Sequence, residues 1–171
     1  GIKREVITVG SGTVEDKHTS DFWVFEGQDG NDYAVSGTWG ADGTTYFWDV
    51  TDPGNLKKID SVQVDARTVN DVKVSADGKI SIISREGASN RRNGIVILDT
   101  TDPYNVKIIS EYTTNLTGGV HNLFIYDDHV YALSNGERFY VINIEDPFSP
   151  YEVGMFVIGE KGQAIHDVWI E

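Results

Sequence analysis

The chain alternates short apolar runs with turns rich in Asp, Gly and Asn, and one such run occurs three times. Each copy is an apolar, strand-like segment that ends in Asp-Pro, and the prolines lie at positions 53, 103 and 147. The three copies are Tyr46–Pro53, Ile95–Pro103 and Phe139–Pro147. A spacing of 50 and then 44 residues, carried by strands, is typical of a repeat architecture with one small sheet per unit.

Each Asp-Pro run is accompanied by three further predicted strands, so that a repeat holds four strands joined by hairpins. The first strand of each repeat begins with Asp or Asn; these residues are Asp21, Asp71, Asn122 and Asp167. Because no apolar period of 3.6 residues appears, we expect almost no helix. Four-stranded units of this length predict an all-β chain made of β-propeller blades. A β-sandwich would not repeat whole phrases every four strands.

The repeat register divides the chain into three complete blades, at 20–65, 66–116 and 117–160. Residues 1–19 are predicted to hold the last strand of a preceding blade (Lys3–Val9) and a linker, and residues 161–171 the first strand of a following blade (Asp167–Glu171). A propeller closes with typically four to eight blades. We therefore expect the chain to be part of a longer propeller, with three complete blades and one orphan strand at each end.

Charge and composition narrow the classes of partner. The net charge of −13 argues against binding nucleic acid through its phosphates, which requires clustered Lys and Arg. No apolar run approaches the length of a membrane span. The chain has no Cys, which excludes disulfides, Cys-based metal sites and thiol catalysis. We expect a protein partner, or the remaining propeller blades, to contact this chain.

Polar residues at the starts of the first strands form the main candidate site. His121 and His166 occupy equivalent positions, and the other two repeats place Ser20 and Asn70 there. The next residue is always Asp or Asn, namely Asp21, Asp71, Asn122 or Asp167. In a propeller the first strand lines the central channel, so these side chains would form part of a polar ring. Imidazole and carboxylate groups could bind a divalent cation or a small polar ligand there. Alternatively, the Asp and Asn side chains hydrogen-bond the backbone of the neighbouring blade.

A second candidate lies in the long loop between the second and third strands of the second blade. This loop carries Arg85, Glu86, Arg91 and Arg92. Guanidinium groups suit the recognition of carboxylate or phosphate, and a long polar loop on a rigid scaffold often binds ligands. Bracing of the blade is an equally good explanation, because Glu86 can neutralise one of the arginines.

The repeats resemble a known family. Asp49-Val50-Thr51-Asp52-Pro53, the run Ile95–Asp99 and the phrases around His121-Asn122 and His166-Asp167 are similar to the LVIVD-repeat β-propellers. This resemblance covers about residues 20–171. It implies a prokaryotic protein of the periplasm or cell surface, without a defined enzymatic role, and it supplies repeat positions rather than catalytic residues.

The sequence favours a non-catalytic, extracytoplasmic β-propeller that binds a protein or serves as a scaffold, either alone or as one subunit of a larger assembly. The alternative is a propeller that binds a metal ion or small ligand at the axial His/Asp ring, with or without enzymatic activity. No motif requires a cofactor, and no catalytic residue is singled out, because nucleophile elbows and zinc-protease motifs do not occur. Whether the protein is an enzyme stays open at this point.

Overall fold

The Asp-Pro phrase folds as a tight turn in all three repeats of the computed structural model, which describes residues 4–14, 16–157 and 164–170. The Asp side chain accepts a hydrogen bond from the backbone N–H two residues later, at 3.0 Å for Asp52, 3.1 Å for Asp102 and 3.0 Å for Asp146. The Asp carbonyl also accepts from the N–H three residues later. Asp followed by Pro is a favoured start for such a turn, because Pro presets φ and needs no donor.

Twelve strands form three four-stranded antiparallel sheets, each a meander of consecutive strands. The first sheet holds β1 (His18–Glu26), β2 (Asp32–Trp39), β3 (Thr44–Asp49) and β4 (Lys57–Gln63). The second holds β5 (Val72–Val74), β6 (Ile80–Arg85), β7 (Gly94–Asp99) and β8 (Lys107–Tyr112). The third holds β9 (Val120–Tyr126), β10 (His129–Ser134), β11 (Arg138–Asn143) and β12 (Tyr151–Val157). The expectation of an all-β chain with three four-stranded units is confirmed.

β7, one of the two inner strands of the second sheet, is buried on both faces. Ile95, Val96, Ile97 and Leu98 are fully buried. Because side chains alternate between the two faces of a strand, Val96 and Leu98 join a core shared with the first sheet, whereas Ile95 and Ile97 join a core shared with the third. The second sheet therefore packs against the first sheet on one face and against the third sheet on the other.

The described parts of the two predicted orphan strands are not paired in a sheet. Residues 4–9 and 167–170 have no strand structure, while Lys3 and Glu171 lie outside the described residues. Val6, Ile7 and Val9 are 98%, 68% and 62% exposed. A strand requires backbone hydrogen bonds to a neighbouring strand, and in the part of the chain that the structure describes no strand pairs with either segment. Within those same residues there is no helix, and hence none long and apolar enough to cross a membrane.

Candidate functional site

The first strands of the three sheets are neighbours in space, with β5 between β1 and β9. Polar side chains within β1 and just before β5 join one sheet to the next, so the first strands do not begin at the predicted Asp residues. The Oδ2 atom of Asp21 accepts a hydrogen bond from the backbone N–H of Val72 at 3.2 Å. One sheet further on, Oδ2 of Asp71 accepts from the N–H of Leu123 at 2.6 Å. The same relationship thus recurs at both junctions, with a carboxylate of one sheet bound to the backbone of the next.

The residues just before these carboxylates make a second set of links. The hydroxyl of Ser20 donates to the carbonyl of Val69 at 2.5 Å, and the amide of Asn70 donates to the carbonyl of His121 at 2.8 Å. Buried backbone groups need such partners, because leaving them unpaired is costly. The structure therefore places Asp21 and Asp71 in contacts between sheets, which corresponds to the backbone-bonding alternative.

Lys73 lies between the two carboxylates. Its Nζ forms ion pairs with Asp71 and, at 2.9 Å, with Asp21, and it sits 5.0 Å from the centre of the Trp23 ring. The Asp71 side chain is only 3% exposed. The sequence analysis did not single out Lys73. A usable signal was present, because side chains two positions apart along a strand point to the same face, and Lys73 follows Asp71 by two positions.

Burial and the neighbouring Asp21 carboxyl raise the pKa of Asp71 to about 7. The pKa of Asp21 is instead lowered to about 2: burial opposes this shift, but hydrogen bonds with Asp71 and Lys73 outweigh it. Two carboxyl groups that share one ammonium group cannot both ionise easily, so their titrations separate.

His121, His166 and Glu86 converge at the adjoining end of the inner strands. The imidazole rings of His121 and His166 meet edge to face, with their centres 5.1 Å apart, and Nδ1 of His121 is 3.6 Å from Oε1 of Glu86. A hydrogen bond of 2.6 Å from Ile165 N–H to the Gly136 carbonyl fixes the segment that carries His166. These groups border a cleft of about 350 Å³.

The cleft is polar and partly open to solvent. Its lining also includes Asn135, which the sequence did not single out, and His121 is 45% exposed. Within residues 4–14, 16–157 and 164–170, no three His, Asp or Glu side chains stand close enough together to hold a metal ion. The arrangement offers hydrogen-bond donors and acceptors to a small polar ligand, and a metal would require the side chains to move.

Asn122 and Asp167 do not continue the pattern of links between sheets. The Oδ1 atom of Asn122 is buried and makes no hydrogen bond with any residue that the structure describes. Asp167 accepts from the N–H of its own neighbour, Val168, at 2.8 Å. Neither side chain lines the His121–His166 cleft.

The sequence placed Arg85 in the charged loop, but it is the last residue of β6, where it pairs with Gly94 of β7. The charged residues of this segment lie in three different environments. Arg85 is buried and turns inward, where it donates to Oε2 of Glu111 at 2.7 Å and to the carbonyl of Arg92 at 2.5 Å. Glu86 points to His121 instead, and Arg91 is exposed with a φ of +60°. These three side chains do not form a common binding site. The burial of Arg85 indicates a bracing role in the second sheet.

No protein-family model matches the sequence, and no curated protein matches it either. Solved structures share the fold. A putative 6-phosphogluconolactonase from Bacteroides uniformis aligns with a TM-score of 0.69 and 17% identity, over 86% of this chain and 43% of that one. A hypothetical selenium-binding protein from Sulfolobus tokodaii aligns with a TM-score of 0.65 and 17% identity, over 82% and 39%.

BBS1N, solved in complex with ARL6DN, aligns with a TM-score of 0.58 and 10% identity, over 92% of this chain and 43% of that one. At these identities the likeness concerns the fold alone. The chain spans about two fifths of the length of the structures that it matches.

Proposed function

We propose that the three sheets are blades of a β-propeller and that the chain is a non-catalytic module that binds a protein partner outside the cytoplasm. The blade assignment is supported by three consecutive meanders that share cores face to face, with their first strands together. It is also supported by solved structures that share this arrangement of sheets, with TM-scores of 0.65, 0.69 and 0.58. The location outside the cytoplasm rests on the resemblance to LVIVD-repeat proteins.

The binding role rests on the outer strand of the third sheet. β12 is an edge strand, and five of its apolar side chains are 42–55% exposed: Tyr151, Val153, Met155, Phe156 and Val157. An edge strand that presents apolar side chains is a favourable surface for another protein, since both its backbone groups and its side chains can be covered. The partner surface could belong to a separate protein or to further blades.

A lysine placed on β12 tests this role. Met155 pairs with Tyr140, and Ser61 pairs with Tyr46 at the corresponding position of β4 in the first sheet. Met155→Lys should weaken association, because it places a charge in an apolar contact. Ser61→Lys adds the same charge at the equivalent position of the first sheet and serves as the control. The partner would be identified by photo-crosslinking from position 155 in the native organism and then purified.

Binding of the purified partner to the two variants tests whether β12 is the contact surface. We expect Met155→Lys to weaken binding by about a hundredfold, or about 3 kcal/mol, and Ser61→Lys to leave it unchanged. Equal binding by both variants would exclude β12 as the contact surface. Fractionation of the native cells tests the location separately, and recovery of the protein in the cytoplasm would contradict it.

The convergence of His121, His166 and Glu86 favours a second candidate function, the binding of a metal ion or small polar ligand. A titration with Zn²⁺, followed through the imidazole signals in NMR spectra, tests it. Binding in the cleft would shift both histidines together, and His121→Ala or His166→Ala would each abolish the effect. His18, which lies in β1 and away from the cleft lining, provides the control substitution His18→Ala.

A further inference from the structure

A groove of about 480 Å³ runs between the second and third sheets on the side of the Asp-Pro turns. Its larger apolar lining residues are Ile80, Ile109, Ile144, Pro147 and Phe148. Phe148 follows the third Asp-Pro turn and is 73% exposed. The hydroxyl of Ser110 donates to the Pro147 carbonyl at 2.6 Å, which fixes this wall of the groove to β8.

The rim of the groove is strongly acidic. Five carboxylates border it, from Asp77, Asp99, Asp127, Asp128 and Glu145, together with one ammonium group, that of Lys79. Lys79 pairs with Asp77 at 3.1 Å. Asp127, Asp128 and Glu145 are exposed and form no ion pair with any residue in the described part of the chain.

The matching groove between the first and second sheets is smaller, at about 190 Å³, and an aromatic pair explains the difference. There Tyr104, after the second Asp-Pro turn, meets Tyr33 edge to face with ring centres 6.2 Å apart. Asp49 and Asp99 end the third strands of the first and second sheets, and they pair with Tyr33 and Ile80 respectively. Ile80 therefore occupies, in the larger groove, the position that Tyr33 has in the smaller one. Phe148, in the place of Tyr104, has no aromatic partner among the described residues.

We propose that the larger groove docks a segment of a partner protein in which Lys or Arg residues alternate with apolar residues. The proposal rests on the protein-binding function above and names the chemistry of the partner. Apolar side chains of the segment would cover the isoleucines, and its cations would meet the acidic rim. Phe148 offers an aromatic face to a cation and the type of anchor that dominates binding energy at interfaces. The charge of −13 would attract such a segment before contact.

A fluorescent decapeptide of alternating Lys and Leu is the probe, and the same design with Glu in place of Lys is its control. Binding is measured by fluorescence anisotropy. The groove variant combines Asp127→Asn, Asp128→Asn and Glu145→Gln, and a second variant is Phe148→Ala. The matched control combines Glu5→Gln, Glu26→Gln and Glu137→Gln, which removes three charges at exposed positions outside the groove.

The Lys/Leu peptide should bind the unmodified chain, and each groove variant should weaken binding by about tenfold or more. The charge control should change it by less than about twofold, because none of its three carboxylates lines the groove and exposed charges that make no direct contact are largely screened at physiological salt. An equal loss in the charge control would mean attraction by the overall charge, and an unaffected Phe148→Ala variant would mean contact elsewhere. Either result, or no binding of the peptide, overturns the groove proposal. Partner binding that depends on Met155 but not on the groove would leave the protein-binding function standing alone.

Discussion

Asp71 joins the second sheet to the third through Leu123, whose backbone N–H donates to Asp71 Oδ2 at 2.6 Å. The other carboxylate oxygen of Asp71 accepts from the N–H of Val72 at 2.9 Å and pairs with Lys73. One buried carboxyl group thus satisfies two backbone donors and one ammonium group. At the junction between the first and second sheets, Asp21 plays the same part with greater exposure.

Asp71→Ala should therefore destabilise the fold strongly. The substitution leaves the buried Leu123 N–H without its partner, and it leaves the Val72 N–H and Lys73 with only Asp21. We therefore expect the free energy of unfolding to fall by about 3–5 kcal/mol. Urea denaturation measures the change. Asp21→Ala is the matched comparison, and because Asp21 is 34% exposed it should cost only about 1–2 kcal/mol. Equal losses would contradict the assignment of Asp71 as the main link.

The same pair predicts how stability varies with pH. The pKa of Asp71 is raised from 3.8 to about 7, so between these values the folded chain keeps a proton that the unfolded chain has released. Stability should therefore fall as the pH rises through this range, by at most about 1.4 kcal/mol per pH unit. The pKa of Asp21 is lowered from 3.8 to about 2, so its contribution is lost as the pH falls through that lower range.

Urea denaturation at several pH values between about 4 and 7 tests the Asp71 effect. In Asp71→Asn this titration is absent, and the decline in stability over the range should flatten relative to the unmodified chain. Asp29→Asn is a control at an exposed carboxyl group. A decline of the same slope in Asp71→Asn would show that another group titrates there.

The sheets could be predicted from the sequence because the signals that form them are local. The Asp-Pro turn depends on two adjacent residues, and the alternation of Ile95, Val96 and Ile97 requires only the two-residue period of a strand. Residues 4–9 show the limit of this reasoning. Their composition suits a strand, yet strand formation depends on a neighbour that the local sequence does not specify.

The candidate site could be predicted only in part, because side-chain partners come from distant segments. Equivalent positions in the repeats led us to group Asp21 with Asp71, and Lys73 lies between them in the structure. Only the approach of the Val72 and Leu123 backbones distinguishes a link between sheets from a ligand site. Arg85 and Glu86 are adjacent in sequence and face different elements, since successive side chains at the end of a strand point in opposite directions.

Arg85 should contribute to stability rather than to binding. Its side chain is 2% exposed and satisfies the Arg92 carbonyl and Glu111, so Arg85→Ala removes packing and a charged hydrogen-bond donor together. We expect a loss of about 2–4 kcal/mol in urea denaturation. Arg91→Ala, at an exposed position in the loop that follows β6, should change stability by less than about 0.5 kcal/mol. A stable Arg85→Ala variant would remove the bracing role.

Gly43 provides a test of the connection between the first and second sheets. It has a φ of +76°, and a Cβ there would overlap the carbonyl oxygens of Val64 and Ala66 in the linker to the next sheet. Gly30 has a φ of +79° with open space around it, so it isolates the backbone cost alone. We expect Gly30→Ala to lose about 1–2 kcal/mol and Gly43→Ala to lose more than about 3 kcal/mol of unfolding free energy in urea denaturation.

Hydrogen exchange at Val64 measures the same connection locally. The Val64 N–H donates to the Gly43 carbonyl at 3.1 Å and should lose protection in Gly43→Ala alone. Equal losses for the two variants would mean that the linker moves aside freely and does not fix how the two sheets meet.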